Sequence, residues 1–98
     1  MKTKQEKCPI RLSGSIVITE QDAVQLSPME TEIFAQMLFS YMYGGGRGSR
    51  PECAGSRQSL NVFIGRIRKK VRPLGIKVWY DACPLKGGHH IAYTKPNA

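Results

Sequence analysis

The sequence predicts an α+β fold in one domain, and three observations carry that prediction. A helix-start signature at Ser27 opens a stretch of apolar residues at helical spacing. A second helical stripe begins near residue 59 and is stopped by Pro73 and Gly75. Short β-prone runs stand before the first stripe and after the second, so the helices are enclosed by strands rather than alternating with them.

The chain has 98 residues, enough for one compact domain and too few for two. Residues 1–8 are polar and basic and are expected to be a flexible N-terminus, with the domain spanning 9–95. Runs at 10–12, 15–19 and 23–25, punctuated by Gly14 and by 20–22, predict a small antiparallel meander. Ser27, Pro28 and Glu30 form a capping box with proline at the first helical position. Behind them Ile33, Phe34, Met37, Leu38, Tyr41 and Met42 share one helical face, and Gly44, Gly45 and Gly46 stop it, so a helix is predicted over 28–43. Residues 44–58 are glycine-rich and read as a loop, or as a loop holding a short helical turn that starts at Ser49. The second helix is predicted from 58 or 59 to 71 or 72, with Leu60, Ile64, Ile67 and Val71 on its core stripe and Phe63 at the edge. A hairpin follows, with strands at 76–80 and 90–94. Trp79 and Tyr80 must point to opposite faces of it, and Trp79 is taken as the inward one.

Charge is the strongest feature of the composition. Fifteen Lys and Arg stand against seven Asp and Glu, a net charge of +8, which favours a polyanionic partner. Five cations fall between Arg66 and Arg72, and the second helix holds no acidic residue to pair with them. Opposite its core stripe lie Gln58, Asn61, Val62, Gly65, Arg66, Lys69 and Arg72, flanked by Arg68 and Lys70. A solvated face normally mixes signs, and this one does not. In a major groove, guanidinium groups can pair with guanine or clamp phosphate, Val62 can touch a thymine methyl, and Gly65 permits close approach.

These strings resemble the winged-helix DNA-binding domain of response regulators of the OmpR/PhoB type. Residues 26–34 (LSPMETEIF) look like that family's opening of its first helix, and residues 59–71 (SLNVFIGRIRKKV) look like its recognition helix. Residues 73–76 fit the link that follows, and 88–91 (GHHI) sit where the family has its wing. The resemblance implies a winged helix-turn-helix: a small N-terminal antiparallel sheet, about three helices and a C-terminal hairpin wing. It implies that Arg66 reads a base, that Arg68 holds phosphate, and that His90 stands where the family carries a wing arginine. The full expected contact set is Arg57, Asn61, Val62, Gly65, Arg66, Arg68, Lys69, Lys70 and Arg72, with Lys86, His89 and His90 from the wing. The middle segment departs from the family in being shortened and glycine-rich, and a standalone domain without a preceding receiver is expected, so aspartyl phosphorylation is not the expected switch.

The expected function is sequence-preferring binding of double-stranded DNA in transcription regulation. The alternatives are a winged helix that docks on RNA polymerase or another regulator, as a phage or mobile-element factor does, and a nonspecific nucleic-acid binder. A homodimer stays open, since no heptads specify one. No enzyme activity, cofactor or metal is expected. His89 and His90, beside Cys83, lie on opposite faces of a strand and suit one ion poorly. The glycine run at 44–48 lacks the ending of a phosphate loop, and a lone Trp79 is no stacking platform. Cys8, Cys53 and Cys83 show no paired spacing and read as reduced thiols. With no signal-peptide core and no apolar run long enough for a bilayer, the expected location is the cytoplasm.

Overall fold

The computed structural model describes residues 8–51, 56–83, 85 and 87–94, and for Arg57 the backbone alone. Three short strands come first: β1 (Arg11–Ser13), β2 (Ile16–Ile18) and β3 (Ala23–Gln25). They form an antiparallel meander in which Leu12 faces Val17 and Val17 faces Val24, one residue of each strand turned toward the core. The sheet is tied to the rest of the chain by polar anchors as well. The Thr19 hydroxyl and the Gln21 amide both donate to the Leu74 carbonyl at 3.0 Å. At Gly75, just beyond, φ is 84°, and a Cβ would collide with the Gln21 amide and the Thr94 carbonyl oxygen. Only glycine satisfies both demands there.

Helix α1 (Pro28–Tyr43) has the predicted bounds, and both halves of its capping box are made. The Ser27 backbone N–H donates to Glu30 Oε1 at 2.9 Å, and the Glu30 N–H donates to Ser27 Oγ at 3.4 Å. Ile33, Phe34, Met37 and Leu38 are buried, whereas Tyr41 is 39% exposed and Met42 only half-buried. Helix α2 (Arg57–Val71) buries Ile64, Ile67 and Val71, with Leu60 and Phe63 packed partly against the same core. A 3-10 turn (Arg72–Leu74) carries the chain into the hairpin β4 (Ile76–Asp81) and β5 (Gly88–Tyr93). The two helices and the hairpin close on Val17 of the first sheet and on Ile10 and Leu26 that flank it, giving one hydrophobic core. Each fully buried aliphatic side chain in it contributes about 1.5–3 kcal/mol.

The order of strands, helices and hairpin is therefore as expected, with three differences. Among the described residues there are two α-helices and not three. The short turn expected to start at Ser49 is replaced there by a β-bridge. Ser49 and His89 exchange both backbone hydrogen bonds, at 2.8 and 2.7 Å, while residues 52–55 lie outside the described set. The third difference concerns Trp79. Ile76 and Val78 point inward, so alternation turns Trp79 outward, where it is 37% exposed. Tyr80 has the inward parity but sits beyond the end of the core and is also exposed.

Cys8 and Cys83 are free thiols, and Cys53 lies outside the described residues. No helix among the described residues is long and apolar enough to cross a membrane.

Candidate nucleic-acid interface

Helix α2 starts at Ser56, whose hydroxyl accepts the Ser59 N–H at 3.1 Å. It ends with Arg68, Lys69 and Lys70 in its last turn, where cations suit the partial negative charge of a helix C-terminus. That effect fades within one turn, so it does not account for Arg66. The five cations divide into two kinds once their partners are placed.

Lys70 and Arg68 lie on the flanks of the outer face and are held by neighbouring elements. The Lys70 ammonium pairs with Glu30 Oε1 of α1 at 2.7 Å, and Glu30 is only 2% exposed. Burial would raise the Glu30 pKa. The Lys70 hydrogen bond, the Ser27 N–H and the Lys70 charge outweigh that, and its carboxyl is held below the usual value of 4.5. Arg68 Nε donates to the Val78 carbonyl of β4 at 3.3 Å. Both were expected in the contact set. In this structure Lys70 forms an ion pair between the helices, and Arg68 spends one donor on the hairpin while remaining exposed.

Arg66, Lys69 and Arg72 occupy the centre of the face. All are exposed, and among the described residues none makes an ion pair. At 100° per residue, Lys69 projects about 60° from Arg66 and Arg72 about 60° further on. The Arg66 guanidinium lies 5.6 Å from the centroid of the Phe63 ring on its own helix, so it is already held against the surface. Val62 is 53% exposed beside them. Asn61 is exposed at the edge of the face, and a Cβ at Gly65 would meet nothing within 4 Å. The side chain of Arg57 is outside the described set.

The wing residues come out differently. Lys86 lies outside the described residues. His89 is 7% exposed, turned inward beside Tyr80, and is corrected from a surface contact to a buried group. His90 is half-buried and stacks on Trp79 at 5.2 Å with an interplanar angle of 11°. Lys77, which the sequence did not single out, sits 5.9 Å from the Trp79 ring on the same outer face. Its signal was available: in β4, Lys77 and Trp79 share a parity opposite to Ile76 and Val78.

The arrangement on α2 offers positive charge and hydrogen-bond donors. Among the described residues no group of three or more His, Cys, Asp or Glu is placed to hold a metal ion. No protein-family model, curated protein or solved structure matches the chain, and the face on α2 is known by its own geometry.

Proposed function

We propose that the protein binds double-stranded DNA with a sequence preference and regulates transcription, laying the outer face of α2 in the major groove. This is the winged-helix mode that the resemblance to OmpR/PhoB-type output domains implies, with the β4–β5 hairpin as wing. The observation that carries the reading is the set of three exposed cations, Arg66, Lys69 and Arg72, without an ion pair among the described residues, around the uncovered Val62. Free cations grouped without intervening carboxylates repel one another, and a polyanion relieves that repulsion. Arg66, pre-positioned over Phe63, is the base-reading candidate. Lys69 and Arg72 are the phosphate contacts.

Random-site selection on duplex DNA at near-physiological salt tests this directly. A recovered motif is the expected outcome. On the best site, Arg66→Ala should cost about 1–3 kcal/mol and relax the preference at one position, whereas Lys69→Ala should weaken all sequences alike. Unchanged affinity in both variants sinks the assignment.

A second reading has one observation in its favour. Phe39 and Tyr43 are exposed on α1 and touch at 5.1 Å between ring centroids, an aromatic pair suited to a protein surface. Recovery of RNA polymerase with the protein, without duplex binding at low salt, selects docking over DNA recognition.

A further inference from the structure

Between the C-terminal half of α1, the glycine loop after it and strand β5 lies a pocket of about 190 Å³. A single water needs only about 10–15 Å³, so the space is that of a small molecule. Its walls combine two chemistries. Met37 and Ile91 supply an apolar side, while Ser40, Arg47 and His89 supply a hydroxyl, a guanidinium and an imidazole. No carboxylate is among the lining residues. His89 is buried, and its Nδ1 makes no hydrogen bond among the described residues, a state that costs about 1–3 kcal/mol. Its backbone N–H and C=O are already taken by Ser49, so its ring nitrogen remains to be satisfied, as does Nε2 of His90, which lines the same pocket. Arg47 is exposed, and among the described residues it makes no ion pair.

We infer that this pocket binds a small organic carboxylate, its carbon chain against Met37 and Ile91 and its charged end among Arg47, Ser40 and His89 Nδ1. The local field favours an anion. Burial first, and then the charges of Arg68, of His90 in the pocket wall and of Arg50, hold the His89 imidazole below the ordinary range. A carboxylate brings the opposite charge into that field and accepts the hydrogen bond that Nδ1 donates in the tautomer with its proton on that nitrogen. The apolar side distinguishes the ligand from an inorganic oxyanion, which would leave Met37 and Ile91 without contact. The inference does not depend on DNA binding.

The test is a titration of the full chain with butyrate, following the imidazole resonances of His89 by NMR. Butyramide serves as the neutral isostere and inorganic phosphate as the oxyanion without a carbon chain. Butyrate should shift the His89 signals saturably, butyramide should bind at least tenfold more weakly, and phosphate should not saturate. Arg47→Gln, on the exposed loop, should weaken butyrate at least tenfold while the backbone spectrum stays that of the parent. Ser40→Ala should weaken it severalfold and provides the check if Arg47→Gln disturbs the loop. The proposal is overturned by an absence of saturable shift, by equal binding of butyramide, by saturation with phosphate alone, or by undiminished affinity in a folded Arg47→Gln protein.

Discussion

At the scale of single residues, Glu30 and His89 show how burial changes what a side chain is for. Glu30 Oε1 accepts from both Ser27 and Lys70, so one carboxylate caps α1 and grips the end of α2. Lys70→Ala would leave that carboxylate buried with its cap bond and without its counter-charge. The expected loss is about 1–3 kcal/mol in urea unfolding, moderated because Lys70 itself is partly exposed. His89 carries the opposite lesson. Burial first, and then the charges of Arg68, His90 and Arg50, depress its pKa from 6.5, with Tyr80 packed against the same ring. A histidine whose folded pKa is depressed binds fewer protons folded than unfolded near that pH. Its contribution is complete above about pH 6.5 and is lost as the pH falls toward and through the lowered folded value. Urea titrations between pH 8 and pH 5 should therefore show stability falling with acid, and His89→Phe should remove that share of the slope. An unchanged slope in the variant would place the proton uptake elsewhere.

At the scale of elements, α2 offers an experiment that separates stability from binding. Glycine inside a helix is unfavourable, and the space around Gly65 is open, so Gly65→Ala should stabilise the fold by about 0.5–1 kcal/mol. If the helix lies close in a groove, the same methyl group should weaken duplex affinity. A raised midpoint of thermal unfolding with unchanged DNA affinity would mean that the helix stands off from its ligand at that position. Much of both helices was legible in the sequence because their signals are local: the capping box at Ser27, the stripe from Ile64 to Val71, the stop at Pro73 and Gly75. The partners of the cations were not. Lys70 and Glu30 are forty positions apart, and no pattern within α2 could announce that they meet. Trp79 failed for a different reason. Strand parity shows which residues share a face but not which face is the core, and the parity of Ile76 and Val78 decided it.

At the scale of the whole molecule, a net charge of +8, with exposed cations gathered on α2 and the turn that ends it and none of these ion-paired among the described residues, predicts a steep salt response. Affinity should fall with salt at a logarithmic slope of about −0.9 per phosphate contact, and each of Lys69→Ala and Arg72→Ala should reduce that slope by about one. A slope indifferent to both substitutions would assign the electrostatics to another surface. The hairpin adds a consequence of its own. Strand β5 pairs with β4 along its length and meets Ser49 on its other side at His89 alone, while the outer rim of β4 has no strand partner among the described residues. Where Ser49 pairs with His89, alternation turns the Val78 carbonyl toward that rim, and Arg68 occupies it. A carbonyl bonded in this way is one acceptor fewer open to a strand of a neighbouring molecule. Arg68→Ala should leave the monomer folded yet raise its tendency to associate through that rim, measurable by light scattering as concentration increases.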